Sequence, residues 1–432
     1  MKKVLFFFVF LGMVSCSLNE WDDVPDCMSE NDPFSVSMTD ALSIASSFMT
    51  EREIIPLTRA EDLSVISSFS IKDKRNNPLF HVVNYNGGGF AIIAGDMRLT
   101  PIQAYSSTGF FNDTIESYPL GLKIWLDCAE ASRDNVMENG EESDYETLLA
   151  WTQYKSTGFD LEGCRTRSLD PIIGPSQEEV DTLVGPLIND SWHQGSPYTD
   201  SLLVSSHYHY YYDPYYHQND STYAGQYRPV VGCVPLAIAR VMRYNAKPYN
   251  YAWSFMPNNA PQTIATRSYV RDIHYAVKAY AENHGFGFRY AIIDGQPATG
   301  VDNAFPIGSF LCNQYGYPAA ITNSYTSGAY GIIGREMIDH HLVCILSGNS
   351  SSGGHTWVCD GYHFHSTPVF GYNGEFMGAF ENKYLHHRWG WENCDFDGWF
   401  QYYDFSPGPD DFHESMKITH RIAEIDYWSF GL

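Results

Sequence analysis

Basic residues are scarce in this sequence, with 26 Lys and Arg against 51 Asp and Glu and a formal charge of −25. A field of that sign repels phosphate backbones and anionic bilayer surfaces, so nucleic acid is not an expected partner. Long apolar runs are also missing. The one notable stretch, Val4 to Val14, is too short to span a bilayer stably. Nine cysteines, at 16, 27, 128, 164, 233, 312, 344, 359 and 394, include no pair at zinc-knuckle or thioredoxin spacing. The histidine pairs 207/209, 340/341, 363/365 and 386/387 come with no carboxylate or cysteine at recognised ligand spacing, so neither a metal nor an organic cofactor is expected. There is no internal repeat and no long low-complexity tract.

Lys2 and Lys3 before that apolar run have the shape of an export signal. The run ends Leu11-Gly12-Met13-Val14-Ser15-Cys16, which resembles a bacterial lipoprotein signal with Cys16 as the lipidated residue; an ordinary secretory signal with an incidental cysteine is the alternative. On this reading residues 1–15 are removed and 16–36, with Glu20, Asp22, Asp23 and Asp26, form a solvated acidic tether. The expected location is the cell envelope, outer membrane or surface, with the lipid as the sole membrane contact.

At 432 residues the chain exceeds one average domain, and two folded units are expected. Thr39 is placed to cap a helix with Ala41, Leu42, Ala45, Phe48 and Met49 on one face. Leu79 to Val83, a turn at Gly87-Gly88-Gly89, and Phe90 to Ala94 read as a hairpin, and Leu120 to Leu148 as one or two helices. These make a first unit over 37–157. Pattern breaks down over 158–183, around Arg165, Arg167, Pro171, Gly174 and Pro175, which predicts a linker holding an activation cleavage site. A second unit spans 184–432. Its Tyr-rich segment, Tyr208 to Tyr216, reads as a surface loop packing rings on itself, or as a stacking platform for sugar.

Gly232-Cys233-Val234-Pro235 opens a run in which Val234, Ala237, Ile238, Val241 and Met242 recur at helical spacing, with Pro235 tolerated in the first turn. This puts a thiol at a helix N-terminus, where the dipole and free N–H groups favour thiolate and can also receive a developing oxyanion. A cysteine there is also a common small core residue. Gly353-Gly354-His355 leads into a strand-like run, and an imidazole brought to that thiol would make it a nucleophile. With Cys16 lipidated and Cys233 free, an odd number of cysteines remains, so at least one more thiol stays unpaired or bonds between chains.

Ser191-Trp192-His193-Gln194-Gly195-Ser196-Pro197-Tyr198, then Val231-Gly232-Cys233-Val234, then Gly354-His355 with Asp360-Gly361, then Trp389-Gly390-Trp391 and Asp397-Gly398-Trp399-Phe400 together resemble the streptopain family of papain-like cysteine peptidases in order and spacing. Phe90 to Tyr105 looks like part of that family's inhibitory prodomain. The resemblance implies an α+β fold, a papain-like peptidase domain preceded by a small α+β prodomain that inhibits its own chain. It implies Cys233 as nucleophile, His355 as general base and acid, Gln194 as side-chain oxyanion donor and Trp389 as the indole shielding the imidazole. One position departs from the pattern: Arg388 stands where the family commonly has the Asn that orients the histidine. An arginine cannot accept the imidazole N–H and its charge disfavours imidazolium, so either His355 is oriented by a backbone carbonyl or another side chain with Arg388 turned outward, or activity is weakened.

The sequence thus reads as an exported cysteine endopeptidase zymogen acting on polypeptides, with the resemblance implying a bulky apolar residue second before the cut. A cell-wall peptide amidase using the same dyad, and a non-catalytic surface-binding protein on a degenerate peptidase fold, are the alternatives.

Overall fold

Ser37, rather than Thr39, caps the first helix of the computed structural model, which describes residues 34–52, 63–138, 147, 150–151, 179–203, 209–211, 221–222, 228–293, 296–350, 353–370, 376–391, 394–403 and 416–423. The extended backbone of Ser37 lets its hydroxyl accept the Asp40 N–H at 3.2 Å, whereas Thr39 already lies inside the helix. This helix, α1 (Met38–Glu51), buries Ala41, Ile44, Ala45, Phe48 and Met49, a stripe at helical period. Four antiparallel strands follow: β1 (Val65–Lys72), β2 (Pro78–Tyr85), β3 (Phe90–Ala94) and β4 (Ile102–Ser106). The expected hairpin is β2–β3, with Phe80 opposite Ala94 and Asn84 opposite Phe90. Helix α2 (Leu120–Glu138) comes next.

The segment assigned to a linker ends in a strand. Val180–Val184 (β5) pairs antiparallel with Tyr362 to Ser366, so the last residues of the predicted linker are hydrogen-bonded sheet, while 152–178 lie outside the described residues. Its Val-Asp-Thr-Leu-Val alternation was masked in the sequence by the Pro- and Gly-rich stretch before it.

The second unit carries helices α3 (Cys233–Tyr244), α4 (Ile264–Asn283), α5 (Ile307–Tyr315) and α6 (Ala329–His340). A small sheet takes β6 (His209–Tyr211), β7 (Ser221–Thr222), β8 (Phe288–Ile293) and β9 (Gln296–Val301). Tyr210 and Tyr211 are thus in a strand, parallel to β8, and not in a loop packed on itself; the rest of the Tyr-rich segment is outside the described residues except His209. The main sheet adds β10 (Ile321–Ser324), β11 (Cys344–Ser350), β12 (Gly353–Phe370), β13 (Phe376–Arg388), β14 (Gly398–Gln401) and β15 (Lys417–His420).

The two units share this sheet. β4 pairs with β14, placing Tyr105 opposite Trp399 and Ala104 opposite Phe400, and gives eleven antiparallel strands in the order β1-β2-β3-β4-β14-β13-β12-β11-β15-β10, with β5 alongside β12. Successive strand residues point to opposite faces, and the two cores show it. Cys344, Leu346, Trp357 and Cys359 join the core that holds α1, α2 and β2–β4, while Val343, Ile345 and Val358 join the one built on α3, α4 and α5. Among the described residues no helix is long and apolar enough to cross a membrane.

Candidate active site

Gly232 sets up the thiol. It precedes α3 with φ at +90°, a conformation that side chains resist, and a Cβ there would stand 3.1 Å from Thr299 Cγ2. The chain can therefore turn sharply and start the helix at Cys233, with Val234, Ala237, Ile238, Val241 and Met242 all buried behind it. Burial pushes the Cys233 thiol above its ordinary range, opposed by hydrogen bonds from the backbone N–H of Thr356, Val234 and Cys233 and from the Thr356 hydroxyl. Two of those N–H groups belong to the first turn of α3, which has no intrahelical acceptor for them. The third lies next to His355 in β12.

His355 is 4% exposed and points to the α2 side of the sheet, where its ring stacks on Trp357 at 6.0 Å. Its Nε2 donates to the Trp389 carbonyl at 2.8 Å. A carbonyl only accepts, so the proton of the neutral ring sits on Nε2 and Nδ1 is the basic nitrogen. Burial lowers the imidazole to about 4, against the pull of that carbonyl. In this chain, with its N-terminal unit in place, thiol and imidazole are both held neutral.

Cys233, His355 and Gln194 line one cleft of about 650 Å³, together with Val234, Thr356 and Trp391. Leu120, the first residue of α2, lines it as well. Gly121 follows, and a Cβ there would lie 2.6 Å from Trp389 Cε3 and 3.0 Å from His355 Cδ2. Only a glycine lets α2 approach both rings this closely.

Trp389 is 1% exposed; its carbonyl accepts from the imidazole, and Gly121 of α2 lies against both rings. It is held by its indole N–H to the Phe396 carbonyl at 2.9 Å and its backbone N–H to Asp397 Oδ1 at 2.9 Å. Arg388 does not turn outward. Its side chain is 11% exposed and runs inward, with Nε on Asp360 Oδ2 at 2.7 Å, Nη1 on the Asp190 carbonyl at 3.1 Å and 3.6 Å from Asp397 Oδ2, and Nη2 on the Ile188 carbonyl. Burial would raise the Asp360 carboxyl, but Arg388 and His386 more than offset it and hold it well below the carboxylate range. The orienting acceptor for His355 is thus a backbone carbonyl, and the guanidinium is neutralised where it stands.

Thr356, Asp360, Asp397 and Gly121 carry this arrangement, and sequence reasoning gave none of them a role. Asp360 and Asp397 lay within quoted motifs, but no local pattern marks a carboxylate whose cation is distant in the chain. Cys16 lies outside the described residues. Cysteines 128, 233, 312, 344, 359 and 394 are free thiols, and among the described residues no group of His, Cys, Asp and Glu is arranged to hold a metal ion.

Comparison with known proteins fits this layout. A family model, Spi protease inhibitor, matches residues 33–132, the region of α1, β1–β4 and most of α2. The chain is similar to the thiol protease/hemagglutinin PrtT of Porphyromonas gingivalis, 23% identical over 397 residues, which is 82% of this chain and 37% of that protein. It therefore spans little more than a third of that relative's length. Its structure resembles that of a Prevotella intermedia prointerpain A fragment with a cysteine-to-alanine substitution, at a TM-score of 0.52 and 18% identity, covering 83% of this chain and all of the fragment. The fold is α+β, with helices packed on both faces of one large antiparallel sheet, as in that prointerpain fragment.

Proposed function

We propose that this chain is a cysteine endopeptidase made as an exported zymogen, anchored to the bacterial cell envelope through a lipid on Cys16. The observation that carries the reading is the shared cleft: a helix-terminal thiol and a strand-borne imidazole with an oxyanion donor beside them, and Leu120 and Gly121 of the N-terminal unit seated on top. The likeness to a thiol protease and to a prointerpain supports it.

Release of α2 widens the cleft and weakens the burial that keeps both groups neutral. His355 Nδ1 then takes the Cys233 proton, and the sulfur attacks a peptide carbonyl. The oxyanion is received by the Cys233 N–H and the Gln194 side chain, a neutral donor that does not protonate the thiolate. Imidazolium returns its proton to the leaving amine as the C–N bond breaks, and water hydrolyses the thioester with His355 as base. The Trp389 carbonyl keeps the ring in the right tautomer throughout. Beyond the thiol the cleft is walled by Val230, Ala291, Ala298, Val301 and Ile307, which suits an apolar substrate side chain next to the cut.

The test is expression from Leu18 onward, with self-processing, cleavage of unfolded protein and labelling by an epoxide thiol inhibitor followed together. All three are expected to disappear in Cys233→Ala. Cleavage of muropeptides but not of protein would assign the dyad to cell-wall chemistry, and persistence of cleavage in Cys233→Ala would remove the sulfur from the reaction.

A further inference from the structure

The charged groups behind the cleft form one continuous network, and each arm of it reaches a different part of the site. From α3, Arg240 Nε pairs with Asp190 Oδ1 at 2.9 Å. Asp190 in turn accepts the Trp192 N–H at 3.1 Å, two residues before Gln194. From β13, Arg388 binds the Ile188 and Asp190 carbonyls of that same segment. It also binds Asp360 on β12, five residues beyond His355, and Asp360 accepts the Ile188 N–H at 3.0 Å. Its remaining edge faces Asp397, the carboxylate that holds the N–H of Trp389, the residue whose carbonyl sits on His355 Nε2. Asp360 and Asp190 have 0% and 1% side-chain exposure, so these charges have no water to fall back on.

We infer that Arg388 is the positioning residue of this site: one guanidinium fork ties the Gln194 segment, the His355 strand and the Trp389 turn into a fixed geometry, replacing an orienting side chain on the histidine with an oriented peptide. The inference rests on the peptidase reading. A planar fork with donors on three sides is what the job requires, since an ammonium group would reach one carboxylate but not span all three segments. Removing the guanidinium leaves buried carboxylates facing one another and lets the Trp389 carbonyl drift from Nε2, and a displacement of about 1 Å in such a constellation can cost on the order of a hundredfold in rate.

The decisive substitution is Arg388→Asn, because it installs the side chain that an orienting role for this position would favour. Wild type and variants are matured from the full chain after Leu18, their active sites titrated by epoxide labelling of Cys233, and kcat and KM measured per labelled site well below each melting temperature. Arg388→Asn is expected to lose at least about tenfold in kcat with KM within about threefold, and Arg388→Lys to recover part of that loss. The alkaline limb of kcat/KM, where imidazolium is lost, is expected to move up in pH as the cation leaves, a change that mere loosening does not produce. Wild-type or higher kcat in Arg388→Asn overturns the inference. Should that variant fail to fold, Asp397→Asn decides: it keeps an acceptor for the Trp389 N–H but removes the charge facing the guanidinium, and an unchanged kcat there overturns the inference equally. A wild-type chain that neither cleaves protein nor labels at Cys233 sinks the peptidase reading instead, before any variant is compared.

Discussion

Around the Cys233 sulfur, burial and hydrogen bonding pull in opposite directions, and in this form of the chain burial wins. The donors that would stabilise the thiolate are nevertheless already in place. In the proposed mechanism Gln194 is the complementary oxyanion donor, and Gln194→Ala is expected to lower kcat by about a hundredfold, roughly 3 kcal/mol of barrier, while labelling of Cys233 stays intact. A kcat within twofold of wild type removes Gln194 from the oxyanion site. At this scale the sequence singled out two residues that line the cleft, Cys233 and His355, but not what surrounds them. Cys233 and His355 announce themselves through a helix start and a glycine-flanked strand, whereas Arg388 looked like a defect, because its partners Asp360, Asp190 and Asp397 are recruited by tertiary structure alone.

Helix α2 is the element on which the proposed latency rests. Leu120 enters the cleft and Gly121 presses on Trp389 and His355, while Ile124 lies near Gly348, the residue opposite His355 in β11. Gly121→Val places methyl groups inside the Trp389 ring, so the helix must lift. Alkylation of Cys233 in the unprocessed chain is expected to accelerate at least about tenfold at neutral pH, read by mass spectrometry of the iodoacetamide adduct; an unchanged rate means that α2 does not control access. Helix periodicity made α3 legible, and two short apolar runs on either side of a glycine turn made the β2–β3 hairpin legible. The first residue of α1 was misplaced by two, since Ser37 and Thr39 are both good caps and only backbone geometry chooses between them. Strand β5 was lost for a different reason: its partner, Tyr362 to Ser366, lies far along the chain.

Six histidines among the described residues are held towards their neutral form by burial. His81, His274, His355, His363, His365 and His387 are all shifted down, with burial the leading cause in each, to about 4 for His274, His355 and His365 and to about 3 for His387. As pH falls below the ordinary imidazole value of 6.5 the unfolded chain takes up protons that the folded chain refuses until about 4, so stability drops across that window and is fully present above it. Thermal melts of the unprocessed Cys233→Ala chain are expected to show Tm falling steadily from pH 7 towards pH 4.5, and a flat profile would mean that these imidazoles are not excluded from water. The shared sheet was beyond sequence reading, because nothing local tells β4 that its neighbour is β14. Under the maturation proposed above, its consequence is felt after the cut. A chain trimmed of β1–β4 has Gly398–Gln401 as its raw hem, a row of unmet amides and carbonyls flanked by Trp399 and Phe400. The liberated form is stickier than its parent, and how long it stays in solution depends on what next lies down along that hem.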